Sequence, residues 1–77
     1  MISDKLKEII LRELNLTDYP LSKNTVASDV PGWDSLKMLS IIMTIEDEFN
    51  IHFMAEEIVN LSNVGDLQNL IEMKLNT

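Results

Sequence analysis

Apolar residues in this chain recur three and four positions apart, and no stretch shows the two-residue alternation of a half-buried strand. Leu6, Ile9, Ile10 and Leu14 set the rhythm; Met38, Ile41, Ile42, Ile45 and Phe49 repeat it; Val64, Leu67, Leu70 and Ile71 close it. A chain patterned this way folds as packed helices that each bury one stripe. Uninterrupted apolar runs stop at three residues, as in Ile41-Ile42-Met43, so nothing is long enough to span a bilayer. The 77 residues allow a single domain, 1–77. A domain of this size buries only ~60% of its extended surface. Its stability must therefore come from efficient packing of its Leu and Ile residues.

Local signals place the helix ends. Ser3 is a suitable N-cap for the first helix, with Asp4 at the positive end of its dipole. Residues 16–34 hold both prolines, Gly32 and many Ser, Thr, Asn and Asp, and read as a long loop. Leu16, Leu21, Val26 and Val30 are the side chains expected to tie it to the core. Pro31-Gly32 blocks an earlier start, and Asp34 caps a second helix that runs to about Phe49. A short third helix is expected over 55–61. Asn63 caps a fourth that ends near Leu75, with Asp66 three residues on in a capping-box-like arrangement. The expected architecture is all-α: a four-helix bundle with a long loop between helices 1 and 2 and a short helix 3.

The residues that carry chemistry are sparse. With no Cys there is no disulfide, no thiol catalysis and no cysteine-ligated zinc. His52 is the only histidine, and pairing it with Ser35 would require residues 50–52 to fold back along a helix ~21 Å long. An EF-hand loop starting at Asp29 would need Glu at its twelfth position, where Ser40 stands. Gly32 and Gly65 form no phosphate-binding motif. Neither a catalytic constellation nor a metal site is expected. The start, Met1-Ile2-Ser3-Asp4-Lys5, lacks the basic-then-apolar order of a secretory signal, which suggests a cytoplasmic protein.

The net charge of -7 lies wholly in residues 24–77, where nine acids face Lys37 and Lys74. That argues against a phosphate-tracking nucleic-acid binder and disfavours anionic membrane surfaces. The acids are either a solvated face or a field that steers basic proteins. On a helical wheel that starts at Ser35, Leu36, Leu39 and Met43 form a second apolar lobe outside the core-facing arc. Glu46 falls at ~20°, nearly below Ser35, and Asp47 at ~120°, on the lobe's flank. Neighbouring helices could absorb Leu36 and Leu39. Met43 beside Glu46 and Asp47 reads as a docking surface, since methionine adapts to several partners. Ser35 itself presents a hydroxyl where unpaired N–H groups and the helix dipole favour a phosphate ester.

The string Gly32-Trp33-Asp34-Ser35-Leu36, followed by Ile45-Glu46-Asp47-Glu48-Phe49 and Val64-Gly65-Asp66-Leu67, resembles the acyl carrier protein family over essentially the whole chain. The resemblance implies that Ser35 receives 4'-phosphopantetheine from coenzyme A through a magnesium-dependent phosphopantetheinyl transferase. The arm's thiol would then carry an acyl or aminoacyl thioester. It implies that Asp34, Leu36, Leu39, Met43, Glu46 and Asp47 meet acyl- or amino-acid-loading enzymes and acyl-transfer enzymes through their basic and apolar surfaces. It also implies that Met38, Phe53 and Ile58 line an acyl cavity. The protein would be a non-catalytic monomeric carrier. Trp33, Lys37, Ser40 and Met54 depart from fatty-acid-synthesis carriers toward those of dedicated pathways. A housekeeping fatty-acid carrier and an unmodified acidic helical adaptor are the alternatives. The crowded acids give a first prediction: added salt or magnesium raises the melting temperature, and a flat series across ionic strength would contradict it.

Overall fold

Three short polar side chains start the three long helices. Ser3 Oγ accepts from the Leu6 N–H at 3.2 Å, Asp34 Oδ1 from the Lys37 N–H at 2.8 Å, and Asn63 Oδ1 from the Asp66 N–H at 2.8 Å. Each replaces a partner that the first helical turn lacks. The computed structural model describes residues 2–76; Met1 and Thr77, the ends of the expected 1–77 domain, lie outside the described residues. Its helices are α1 (Asp4–Leu14), α2 (Ser35–Phe49), α3 (Ala55–Val59) and α4 (Val64–Leu75), and no strand occurs among the described residues. Asn15 and Asn50 end α1 and α2 in the left-handed conformation, at φ 59° and 55°, which asparagine tolerates better than most residues.

Leu6, Ile9 and Ile10 of α1, Ile41, Ile42 and Ile45 of α2, and Val64, Leu67, Leu70 and Ile71 of α4 belong to one core cluster. Side chains also lash α1 to α2. Thr44 Oγ1 donates to Glu13 at 3.1 Å, the Arg12 guanidinium pairs with the Glu48 carboxylate, and the Lys5 ammonium lies 4.9 Å from the centre of the Phe49 ring. Gln68 is a buried polar residue of α4. Its amide is used at both ends, accepting from the Ser3 N–H at 2.9 Å and donating to Glu72 at 2.8 Å. Among the described residues no buried side-chain nitrogen or oxygen lacks a partner.

Three details differ from the sequence pattern. Helix α3 stops at Val59 rather than residue 61, because the Leu61 N–H bonds to the Ile58 carbonyl in a tighter turn. Asp66 completes no box on Asn63; its carboxylate reaches one residue further back and accepts from the Ser62 N–H at 2.9 Å. Within the long loop, Leu21 and Val30 are buried and Leu16 packs on the core, but Val26 is 39% exposed. The loop at that point is held by its backbone instead. The Thr25 carbonyl accepts from the Val64 N–H at 2.9 Å and the Lys23 carbonyl from the Gly65 N–H at 2.8 Å. With those bonds made, Val26 turns outward into the approach to a short 3-10 turn, Ala27–Asp29.

Gly65 permits this approach. A Cβ there would lie 2.8 Å from the Lys23 carbonyl oxygen and 2.9 Å from the Lys23 Cβ. Gly65→Ala should therefore cost about 1–3 kcal/mol, as overpacking does elsewhere. Urea unfolding measures it, with helical circular dichroism in buffer unchanged; an unaltered midpoint would show that the loop yields freely.

Candidate functional site

The backbone before α2 is bent so that Ser35 emerges at the molecular surface. Gly32 takes φ +81°, a value that side chains resist, and the Trp33 N–H returns to the Val30 carbonyl at 3.2 Å. Asp34 then caps the helix with one carboxylate oxygen. Ser35, the first residue of α2, is exposed, and its hydroxyl makes no hydrogen bond among the described residues. It faces an open groove of about 570 Å³ lined by Ala27, Ser28, Trp33, Asp34, Met38, Ile58 and Val59. A free hydroxyl, the N–H groups of a 15-residue helix and a partly apolar trough beside them fit a phosphodiester followed by an extended arm.

Along α2 the second apolar lobe is open. Leu36, Leu39 and Met43 are 78%, 56% and 60% exposed, so neighbouring helices do not absorb them. Asp47 is exposed beside them and makes no hydrogen bond or ion pair among the described residues. The other acids of the helix are occupied. Glu48 is taken by Arg12. Glu46 is half-buried, with its Oε2 accepting from the Phe53 N–H at 2.8 Å and lying 3.2 Å from His52 Nδ1. Glu46 is thus an anchor for the segment between α2 and α3, a role that wheel geometry does not reveal because it depends on where the next loop turns. His52 sits beyond the C-terminal end of α2, on Glu46, and does not meet Ser35.

The three residues associated with a cavity separate. Met38 and Ile58 line the groove next to Ser35, whereas Phe53, 4% exposed, lines neither that groove nor the cavity behind it. Trp33 went unnoticed as a packing residue in the sequence. Its indole is buried, and its Nε1–H points to Met38 Sδ at 3.3 Å. The signal was one aromatic residue directly before a helix cap, which carries no periodicity. The opposite wall, α3, is held on α4 by Glu57. Its carboxylate accepts from Lys74 at 2.7 Å and from the Met54 N–H at 2.7 Å. The lysine hydrogen bond, aided by the Met54 N–H, holds this carboxyl below the usual glutamate value.

Residues 4–71 match the family described as the phosphopantetheine attachment site, and the chain is 35% identical over 72 residues to an acyl carrier protein of Clostridium acetobutylicum, covering 94% of each. The chain belongs to the acyl carrier protein family. An acyl carrier protein of Wolinella succinogenes is 31% identical over 71 residues, covering 92% of this chain and 93% of that one. The fold is similar to the solution structure of a holo acyl carrier protein from Geobacter metallireducens, with TM-score 0.89, 34% identity, and coverage of 95% of this chain and 84% of that one. A putative acyl carrier protein from Mycobacterium tuberculosis gives TM-score 0.83 and 33% identity, covering 91% and 93%. The prosthetic group of this carrier family is phosphopantetheine. Among the described residues no helix is long and apolar enough to cross a membrane.

The Glu46 anchor is directly testable. Glu46→Ala removes the acceptor of a half-buried N–H and should cost about 1–3 kcal/mol. Hydrogen exchange at the Phe53 amide should accelerate well beyond that at core amides. Unchanged Phe53 protection would refute the anchoring role.

Proposed function

We propose that Ser35 is the residue that bears phosphopantetheine, and that residues 1–77 form a single carrier domain serving the enzymes of a dedicated biosynthetic pathway. The observation that carries this reading is the exposed Ser35 hydroxyl, without a hydrogen bond among the described residues, at the first turn of a long helix. Asp34 fixes the start of that helix, where the neighbouring N–H groups and the dipole favour the phosphate's negative charge. When bound, the group supplies a thiol that holds an acyl or aminoacyl unit as a thioester. Trp33, Met38 and Ile58 give the arm an apolar wall to lie against.

The docking face is the exposed lobe of Leu36, Leu39 and Met43, with Asp34, Glu46 and Asp47 on its margin. Apolar contact supplies the area, and Asp47, which makes no ion pair among the described residues, supplies the charge that meets a basic transferase, loading enzyme or acyl-transfer enzyme. Glu46 contributes chiefly by holding the segment before α3. The protein works as a cytoplasmic monomer, where coenzyme A supplies the arm, and performs no reaction alone. Trp33, Lys37 and Ser40, which depart from the pattern of fatty-acid-synthesis carriers, support the dedicated pathway.

Incubation of the folded protein with coenzyme A, magnesium and a broad-specificity phosphopantetheinyl transferase should add one phosphopantetheine by intact mass. Ser35→Ala should abolish the addition with circular dichroism unchanged. Absence of addition to the wild type would sink the proposal. Growth rescue of cells depleted of their fatty-acid-synthesis carrier would overturn the dedicated-pathway part alone.

A further inference from the structure

Two spaces lie back to back near Ser35. The outer one is the open groove that contains Ser35 itself. The inner one is a smaller, partly open pocket of about 50 Å³ in which Trp33, Met38, Val64 and Leu67 meet Ser62 and Asn63 of the connection between α3 and α4. Ala27, Trp33 and Met38 are common to both, so they are the wall between the groove and the core. Trp33 is the largest part of that wall. Its ring is buried, its Nε1–H is directed at Met38 Sδ at 3.3 Å, and its own N–H is bound to the carbonyl of Val30, another core residue.

We infer that Trp33, latched to Met38, keeps whatever is carried at Ser35 out of the helical core, so that the cargo is a short or polar acyl or aminoacyl group held in the outer groove. The inference rests on the reading of Ser35 as the attachment residue. Size supports it first. The inner cavity is about a third of the roughly 150 Å³ that admits a benzene ring in an engineered apolar core. A longer chain entering from the Ser35 groove would have to move the indole, which would strand its part-buried N–H donor. The outer groove supports it next. Ser28, Asp34 and Ser35 lie along the groove beside its apolar wall of Met38, Ile58 and Val59, and it is open to solvent. Each methylene added to a cargo there remains largely in water and gains little from burial. A polar amide or amine loses little hydration in the same place.

The test charges the apo protein directly, using the transferase with acetyl-, hexanoyl- and decanoyl-coenzyme A, and confirms each product by intact mass. Melting temperature, thioester cleavage by hydroxylamine and the emission of the single tryptophan are then read for each length. In the wild type all three should be independent of chain length. In Trp33→Ala the melting temperature should rise and hydroxylamine cleavage should slow from acetyl to decanoyl, as the opened wall admits the chain. Met38→Ala removes the other half of the latch and should show the same trend, which keeps the test available if Trp33→Ala does not fold. Stabilisation, protection or a shifted emission that grows with chain length in the wild type would overturn the inference, as would no length dependence in either folded variant. Absence of any mass addition overturns the Ser35 reading, and this inference with it, and intact mass separates that result from the others.

Discussion

Burial of Ile41, Ile42 and Ile45 of α2 in one cluster with Leu6, Ile9 and Ile10 of α1 decides which side of α2 is left over. The helix carries apolar residues around more of its circumference than the other three helices cover. Contact with α1 is its principal helix–helix contact, and cross-links from Glu13 to Thr44 and from Arg12 to Glu48 fix its rotation. Once that rotation is set, Leu36, Leu39 and Met43 must face outward and Ser35 must open on the groove beside α3. A buried stripe and an exposed lobe on one helix are therefore the same constraint seen from two sides. The exposed lobe forgoes burial energy, which is the usual signature of a surface reserved for contact with another protein.

The long loop presents Ser35 without a regular core of its own. Two backbone hydrogen bonds from its middle to the start of α4, the burial of Leu21, Val30 and Trp33, and a left-handed Gly32 replace what a helix would have provided. Trp33 joins the two tasks, since the same ring seals the core and walls the groove. Glu57 plays a comparable part on the far wall by holding α3 to Lys74 of α4. Because the bond keeps its carboxyl below the usual value, the stabilisation is present above the ordinary glutamate range and disappears as pH falls through the lowered one.

Much of this was legible in the sequence because it is local. The caps Ser3, Asp34 and Asn63 bond within the next three residues, so a short polar side chain before an apolar rhythm locates them. The core stripes of α1, α2 and α4 follow from spacing alone. What stayed hidden depends on distant partners. Glu46 reads as an outward acid until the Phe53 N–H is found on it. Val26 reads as a loop anchor until the Lys23 and Thr25 carbonyls are seen bonded to α4. Gly65 shows no turn or left-handed backbone, and only the nearness of Lys23 accounts for it. The fate of Leu36 and Leu39 was open in the sequence, because a wheel gives the direction of a side chain but not the number of neighbours available to cover it.

The claim on which everything turns is that the uncovered side of α2, together with Ser35, is the working face of the carrier. Chemical-shift mapping of the apo protein with an unlabelled phosphopantetheinyl transferase, without coenzyme A so that no transfer occurs, tests it most directly. Perturbations should concentrate on Ser35, Leu36, Leu39, Met43 and Asp47 and fade with added salt, while the outward residues of α1 and α4 stay still. Perturbations centred on α1 or α4, with the α2 lobe unmoved, would contradict it.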